Sequence, residues 1–520
     1  MLRTTFLVST ARLISTFVTL LLGVYSARYF GASAAKDSYV VAQTIPALLT
    51  ALLTGGVYSS LLISLLEIGG TGGIRAQAQF CRRVAWHMTL LLSPFLLAAM
   101  LFPRLLIEPI APGFGEDRLA LSSQLLPLTA ITALAALYLI IVRCLYQIHG
   151  QFVLPNFLYL IIPITSVVTL VALVGRFGIL ALALGPLAGH VIAVTLLVLL
   201  VRTRLRDPAG FVPDPESATD RRARQRAFWI ALLPMTFAAH FGQINLLVDN
   251  AFGSFLPAGN ITLLGFAFVI ISNTELLTTL SLAEVAFPQL AAAALQGPAD
   301  LTMTFRTFRR YIVLLTAPLT AGALTFGTPL VRLLFQRGEF HPDATAHVAR
   351  LLACYAPEIF FMGYLVLFAR VLFARRRFVL VTWTSAAAIL ANALLDFLLM
   401  RPFGVYGIAL ATTLVSFLHM LMLVPLVRRE VPTLRLLEDA PFTGKVLSSA
   451  AVMGLLVLGW SLLFEHAFDT TREMARLTEV GVGLTLGGVA YVGLLHALRV
   501  EEARDLVKRF FGALPLLTSP

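Results

Sequence analysis

The sequence predicts an all-α polytopic membrane protein, on the evidence of its composition, its long apolar runs and the periodicity of those runs. Hydrophobic residues make up 58% of the 520 residues, charged residues only 13%, and the mean hydropathy is +0.87. Soluble domains have roughly 45–50% apolar and about 25% charged residues. Lipid offers the backbone no hydrogen-bond partners, so a spanning segment is either a helix or a strand of a closed barrel. The apolar runs do not alternate with a period of two, as barrel strands would, and therefore predict helices.

A helix needs roughly 20 mostly apolar residues to cross the hydrocarbon core, and about fourteen such windows occur along the chain. The first is too long for a removed signal peptide and lacks a small-residue cleavage site, so we expect it to be retained. We predict spans at residues 6–30, 39–66, 84–107, 119–148, 155–175, 177–201, 228–255, 259–290, 308–335, 346–374, 378–400, 404–427, 444–464 and 477–498.

The formal net charge of +12 is distributed in a way that indicates membrane orientation and not nucleic-acid binding. Arginines cluster in alternate connections: seven lie within 202–226, and pairs or triplets lie at 82–83, 309–310, 375–377 and 428–429. The opposite connections are near neutral or acidic, as at Glu116 and Asp117. This positive-inside pattern predicts that both termini are cytoplasmic, in keeping with an even number of spans.

An internal repeat organises the spans. Phe177–Ala183 resembles Phe403–Ala409 at an offset of 226 residues, and Phe152–Leu154 matches Phe378–Leu380 at the same offset. The repeat predicts two six-helix lobes in the same orientation, at 1–201 and 228–427, with a cavity between them and transport by alternating access. Residues 202–227 would form a cytoplasmic linker, and 428–520 two additional helices with a cytoplasmic tail.

Sequence motifs argue against catalysis. The chain has no Walker A loop, HExxH or Gly-x-Ser-x-Gly motif and no large extramembrane segment, so a secondary transporter is favoured over an enzyme. The three cysteines, Cys81, Cys144 and Cys354, have no spacing typical of a disulfide framework or metal cluster.

Polar residues inside the spans are candidate site residues, because an ionisable group near the bilayer centre costs at least about 2.5–3.5 kcal/mol. Asp249, Asn392, Asp396 and Thr412 supply hard oxygen ligands that suit a small cation such as Na⁺, or a proton shared between the acids. Asn392 and Asp396, at i and i+4, share one helix face. The alternative role for this set is hydrogen bonding between helices.

A second group of charged residues is a candidate for lining the substrate cavity: Glu275, Glu358, Arg12, Arg28 and Asp37. The two glutamates lie within predicted spans. Arg12, Arg28 and Asp37 would contact an anionic substrate. Snorkelling and local pairing are the alternative explanation for these three.

Four segments resemble the MurJ/MviN family of lipid II flippases in the MOP transporter superfamily. They are Ala27–Ser33 followed by Asp37, Ala111–Phe114 with Leu121–Leu125, Leu334–Phe340, and Gln243–Asp249 with Phe255 and Leu256. The resemblance implies flipping of an undecaprenyl-diphosphate-linked saccharide across the bacterial cytoplasmic membrane, without breaking a bond. It also implies a sodium site at Asp249, Asn392, Asp396 and Thr412, no other cofactor, a monomeric chain and envelope-synthesis partners.

The chain departs from the family in its arginines. Counted from the motifs, positions where the family usually carries cavity arginines are Leu22, Thr50 and Val269 here, whereas Arg28 and Asp37 are retained. Arg12 substitutes only if the register shifts. Because a charge-assisted hydrogen bond contributes about 1.5–3 kcal/mol, anion recognition should weaken. Three alternatives stay open: an exopolysaccharide-precursor flippase, a cation-coupled exporter of small molecules, and a non-transporting enzyme or scaffold of envelope synthesis.

Overall fold

The structure is a computed structural model that describes residues 2–69, 73–205, 225–226, 228–229, 241–431 and 439–502. All regular secondary structure in these residues is helical, as the sequence predicted. The elements are α1 (Leu2–Phe30), α2 (Ala34–Gly69), α3 (Gly73–Leu101), α4 (Pro103–Ile107), α5 (Glu116–Ile148), α6 (Val153–Tyr159), α7 (Ile161–Phe177), α8 (Leu180–Arg204), α9 (Phe241–Gly253), α10 (Asn260–Glu275), a π-helical turn (Leu276–Leu280), α11 (Ser281–Gln296), α12 (Pro298–Thr325), α13 (Gly327–Phe335), α14 (Pro342–Ala374), α15 (Phe378–Phe403), α16 (Val405–Glu430), α17 (Ala440–Ala467) and α18 (Glu473–Ala497).

The described residues contain twelve helices long and apolar enough to cross a membrane, or thirteen if a bent pair counts as one span. The bent pair is α12 and α13, which meet at 76° where a single span at 308–335 was expected. Phe326 leaves the helical conformation between them. Of the predicted seventh span, 228–255, the structure describes chiefly α9. The total agrees with the predicted architecture of about fourteen spans.

Contacts divide the chain into two units, the first comprising Met1–Thr262 with Arg337–Phe340 and the second Leu263–Gln336 with His341–Pro520. In the first unit, α2 packs along α5, and α7 packs along α8. In the second, α14 packs along α16, and α12 contacts both α14 and α17. The predicted linker at 202–227 lies almost entirely outside the described residues. The lobe boundaries predicted from the repeat therefore stay a prediction.

The internal repeat is visible in the backbone of the turns. Gly178, between α7 and α8, has φ +53° and ψ −131°, and Gly404, between α15 and α16, has φ +57° and ψ −132°. The two glycines are 226 residues apart, the offset found in the sequence. A positive φ is accessible to glycine at little cost, which explains why both copies carry glycine at this turn.

A second pair of turns repeats at the same offset with different residues. After α5, Gly150 has φ +70°, and after α14, Arg376 has φ +58°. In both turns the backbone closes a Schellman motif. The Gln151 N–H donates to the Tyr146 carbonyl at 3.0 Å, and the Arg377 N–H donates to the Leu372 carbonyl at 2.8 Å. The two copies therefore have the same turn, with glycine at its left-handed position in one and arginine in the other.

The two last helices, α17 and α18, are attached within the second unit by polar contacts at each end. At one end Asp439 is buried and pairs with Arg306, Arg309 and Arg310 of α12. At the other end Glu479 of α18 is fully buried. It accepts a hydrogen bond from Ser461 Oγ at 2.9 Å and lies 3.4 Å from Arg332 of α13.

Candidate functional site

The first unit encloses a cavity of about 520 Å³, in the range of ligand pockets. Its walls come from α2, α5, α6, α8 and α9, and most are apolar with interspersed hydroxyl, amide and aromatic groups. The lining residues are Tyr39, Gln43, Pro46, Ala47, Thr50, Ala51, Thr129, Thr132, Ala133, Ala136, Leu139, Ile140, Arg143, Tyr159, Ala183, Pro186, His190 and Gln243.

Two contacts between α2 and α5 define how these helices are aligned in the cavity wall. Thr129 Oγ1 donates to the Ala42 carbonyl at 2.8 Å, and Cys144 Sγ approaches the Tyr58 carbonyl at 4.0 Å. The two helices therefore run parallel with a nearly constant offset. The lining positions on α5, from Thr129 to Arg143, extend over roughly 21 Å at 1.5 Å per residue.

The charge of the cavity wall is positive. Arg143 is the one permanently charged residue among those that line it, and none of the lining residues is acidic. The Arg143 guanidinium lies 5.3 Å from the centroid of the Tyr159 ring, within the range of a cation–π contact. Its Nη2 lies 3.5 Å from Asn156 Oδ1. Arg143 was not among the site residues predicted from the sequence, although its position inside the predicted span 119–148 was a signal of function.

Asp37, predicted to contact substrate, is fully buried in the first unit. Its Oδ2 accepts the Gly259 N–H at 2.6 Å, and its Oδ1 accepts the Thr262 N–H at 2.8 Å and the Thr262 hydroxyl at 2.7 Å. The carboxylate thus caps the start of α10, whose first N–H groups have no partner within the helix. Contact between Asp37 and a substrate stays a prediction.

Arg28 lies in a junction between two of the segments that carry the family resemblance. The Glu339 N–H donates to the Arg28 carbonyl at 2.9 Å. Gly338, at φ +58°, packs so closely on Arg28 that a side chain there would overlap its carbonyl oxygen, and Gly31 packs on Glu339 in the same way. Segments 27–33 and 337–340, far apart in sequence, therefore form one packed unit.

Arg12, which was predicted to contact an anionic substrate, and the three positions where the family usually carries arginines are more exposed than Asp37. Arg12 lies on an exposed face of α1. Leu22 packs partly buried against Leu170 and its neighbours, and Thr50 lines the cavity. Val269, in the second unit, is 41% exposed. The roles of Arg12 and Arg28 toward a substrate stay predictions.

The predicted cation ligands divide between the units. Asn392 and Asp396 are fully buried on one face of α15, and Asn392 Nδ2 donates to Asp396 Oδ2 at 3.0 Å. Thr412, on the adjacent α16, is buried and donates to the Ile408 carbonyl at 3.2 Å. Asp249 is buried on α9 in the first unit. Within the described residues, no group of three or more His, Cys, Asp or Glu side chains has the arrangement of a metal site.

Glu275 and Glu358 are both buried in the second unit. Glu275 ends α10 where the π-helical turn begins, and its Oε1 has no hydrogen-bond partner among the described residues. Glu358, on α14, accepts a hydrogen bond from Ser416 Oγ at 3.3 Å. Neither residue lines the cavity of the first unit, so the expected role of both in a substrate cavity stays a prediction.

The membrane-spanning helices and the largely apolar cavity of the first unit are those of an integral membrane transporter. The chain belongs to the lipid II flippase family: the family model described as "Lipid II flippase MurJ" matches residues 26–479. This places it among transporters and not enzymes, as the sequence predicted. A relative from Synechocystis sp., described as "Probable lipid II flippase MurJ", is 26% identical over 94% of this chain and 92% of its own. "Lipid II flippase MurJ" from Burkholderia cenocepacia is 22% identical over 92% and 93%.

Solved structures share the fold. "Lipid II flippase MurJ, inward closed conformation" superposes with a TM-score of 0.75 at 19% identity, covering 95% of this chain and 99% of that one. An inward-facing multidrug resistance MATE family transporter of the MOP superfamily gives a TM-score of 0.65 at 11% identity, covering 81% and 95%. At these identities the likeness concerns the fold alone.

Proposed function

We propose that this chain moves an undecaprenyl-diphosphate-linked saccharide, lipid II or a related envelope precursor, across the bacterial cytoplasmic membrane by alternating access. The observation that carries the proposal is the cavity of the first unit. It is large enough for a sugar headgroup, has hydroxyl and amide groups along its length, and has a positive charge with no acid on its wall. A wall of this kind attracts an anionic headgroup and repels an organic cation, which argues against export of small cations.

Complementation tests the cargo. Expression of this chain in a bacterium depleted of its own lipid II flippase should restore growth if lipid II is carried. Rescue of an exopolysaccharide flippase mutant alone would reassign the cargo to an exopolysaccharide precursor, for which the uncharged side chains of Leu22, Thr50 and Val269 are an argument. Purified protein that moves no lipid-linked saccharide in liposomes would refute the flippase proposal and support a scaffold.

Transport in this proposal is coupled to a cation gradient or to the membrane potential, through Asp249, Asn392, Asp396 and Thr412. Two carboxylates, an amide oxygen and a hydroxyl fit the oxygen preference of Na⁺, and a monovalent cation crossing the membrane gains about 2.3 kcal/mol per 100 mV. The buried Asn392–Asp396 contact supports the second-unit half of this set.

The coupling proposal is tested by Asp249→Asn and Asp396→Asn, assayed for flipping in liposomes with and without an imposed Na⁺ gradient. Both variants should lose the dependence on the gradient. Asp343→Asn, an exposed acid at the start of α14, is the matched control and should retain it. Unchanged gradient dependence in both Asp249→Asn and Asp396→Asn would eliminate the sodium site.

The setting of this activity follows from the same proposal. The chain would act as a monomer in the inner membrane with both termini in the cytoplasm. Its partners would be the lipid-linked substrate, the bilayer and enzymes of envelope synthesis.

A further inference from the structure

We propose that Arg143 is the residue that binds the diphosphate of the substrate, at one end of the first-unit cavity. The inference rests on the proposed flippase function and goes beyond it, since it assigns the anion contact to one side chain. Three observations support it: the place of Arg143 in the cavity wall, the hydrogen-bonding capacity of its guanidinium, and the groups that surround it.

The place of Arg143 is unusual for a cation within a span. An arginine at the centre of the bilayer costs at least about 2.5–3.5 kcal/mol unless it is paired or solvated, and the cost falls towards the ends of a span. Arg143 is half-buried, and no carboxylate of the described residues lies within ion-pair distance of it. By contrast, Arg309 and Arg332 of the second unit each pair with a buried acid. A cation without an acidic partner in a cavity wall is suited to an anionic ligand.

The guanidinium retains most of its donors. Of its five N–H donors, one contacts Asn156 Oδ1 at the 3.5 Å limit, and the guanidinium carbon lies 5.3 Å from the centroid of the Tyr159 ring. Contact with the ring restricts the rotamers of the side chain, so less entropy is lost when a ligand binds. The remaining donors form the planar fork that binds phosphate oxygens in a bidentate manner.

His190 is the second basic group of the wall. Its Nδ1 lies 2.8 Å from the Pro186 carbonyl one helical turn away, so Nδ1 carries the hydrogen and Nε2 is left without a partner in the described residues. In the neutral ring Nε2 is an acceptor, which suits a hydroxyl of the saccharide. The remaining polar groups of the wall, such as Gln43 and Thr132, are neutral and suit sugar hydroxyls.

The position of Arg143 along α5 places the positive charge at one end of the cavity. Arg143 lies five residues before the end of α5, or roughly 7–8 Å at 1.5 Å per residue, next to the connection at 149–152. The charge pattern predicts that this connection is cytoplasmic. A precursor made in the cytoplasm would then meet the cation at the entry end, with its diphosphate on Arg143 and its saccharide along α2 and α5.

Ligand binding to the purified full-length chain in detergent tests the assignment, with undecaprenyl diphosphate, undecaprenol and phosphatidylglycerol as probes and native mass spectrometry as the readout. Wild type should prefer the diphosphate to the alcohol. Arg143→Gln should weaken diphosphate binding about 10-fold or more, as loss of a charge-assisted contact implies. Arg143→Lys, which keeps the charge without the fork, should fall between them and preserves the test if the glutamine variant does not fold.

Arg176→Gln is the matched control, because it removes an exposed arginine of the same unit at the end of α7, outside the cavity wall. It should bind like wild type. Equal diphosphate binding by wild type and both Arg143 variants would overturn the assignment. Equal, Arg143-dependent binding of phosphatidylglycerol would overturn it in favour of a phospholipid headgroup. If wild type binds the diphosphate through Arg143 yet flips no lipid-linked saccharide, the proposed function fails while the site stands.

Discussion

At the scale of single residues, Asp37 and Arg143 show two ways in which the first unit holds a charge in an apolar environment. Asp37 is fully buried and satisfied by three donors from the start of α10. Arg143 is half-buried in a cavity wall with one long hydrogen bond and an aromatic ring. The first arrangement stabilises the fold, because every bond is internal. The second leaves capacity for a ligand.

Asp37→Ala should destabilise the protein by about 1–3 kcal/mol, because it leaves the Gly259 and Thr262 N–H groups buried without an acceptor. Thermal unfolding of the purified protein in detergent measures the effect. Asp117→Ala, which removes an exposed acid at the start of α5, should change stability by less than about 0.5 kcal/mol. Wild-type stability of Asp37→Ala together with lost flipping would instead support the substrate contact expected from the sequence.

The sequence identified local pairs of residues better than distant ones. Asn392 and Asp396 lie four positions apart on one helix, so helical geometry alone brings their side chains together. The partners of Asp37 lie more than 220 positions away, at Gly259 and Thr262. No periodicity relates such positions, and the cap was therefore missed. Arg143 was visible as a charge within a span, but the cavity beside it depends on the packing of α2, α5 and α8.

At the scale of elements, the turns of the repeat are kept by backbone geometry even where the residue has changed. Gly150 and Arg376 occupy the same left-handed position after α5 and α14, 226 residues apart. For a residue with a side chain this conformation costs roughly 1–2 kcal/mol. The Schellman bonds formed by the Gln151 and Arg377 N–H groups hold the turn in both copies.

Arg376→Gly should therefore stabilise the protein by about 0.5–1 kcal/mol, since glycine relieves the cost of the positive φ. Gly150→Ala should have the opposite sign and cost about 1 kcal/mol, because the space around Gly150 is open and only the backbone conformation opposes the change. Both effects are read from thermal unfolding. The same sign of change in both variants would show that the two turns are not equivalent.

The contact of α13 with α18 gives a second prediction about elements. Arg332→Leu should destabilise the second unit by about 3–5 kcal/mol, because Glu479 is left fully buried without its cation. The double variant Arg332→Leu/Glu479→Leu should be more stable than Arg332→Leu alone, since it removes both charges. Arg472→Leu, which breaks an exposed pair with Asp469, serves as the control and should cost less than about 1 kcal/mol. The pairing would be contradicted if the separate effects of Arg332→Leu and Glu479→Leu on stability added up to the effect of the double variant.

The sequence did not predict where the spanning helices are interrupted. The π-helical turn at Leu276–Leu280 and the 76° bend after Thr325 both lie in continuous apolar windows. Hydropathy reports how apolar a segment is. A straight helix and a broken helix of the same sequence therefore have the same hydropathy. Such features depend on which residues pack against the helix, as Gly363 packs near Thr279 of the π-helical turn.

At the scale of the whole molecule, the number of spans and the positions of the arginines together predict the topology. Twelve helices of the described residues qualify as spans, the bent pair of α12 and α13 makes thirteen, and the predicted span that contains α9 makes fourteen. An even number predicts that both termini lie on one side of the membrane. It also predicts that the arginines at 375–377 and the acids Glu116 and Asp117 lie on opposite sides. The positive-inside rule predicts that the arginine side is cytoplasmic.

Cysteine accessibility tests this topology in the intact cell. In a chain with Cys81, Cys144 and Cys354 changed to serine, we expect Asp117→Cys and Thr470→Cys to react with a membrane-impermeant maleimide added outside spheroplasts. Arg376→Cys should react only after permeabilisation. Positions 117 and 376 are exposed and position 470 is half-buried, and the predicted topology puts the end of α14 on the cytoplasmic face. Flipping by each variant shows that the labelled protein is folded. Labelling of positions 117 and 376 from the same side would exclude the predicted topology. It would also contradict the cytoplasmic location proposed for the end of the cavity at Arg143. That location is inferred from the same alternation of charge between connections.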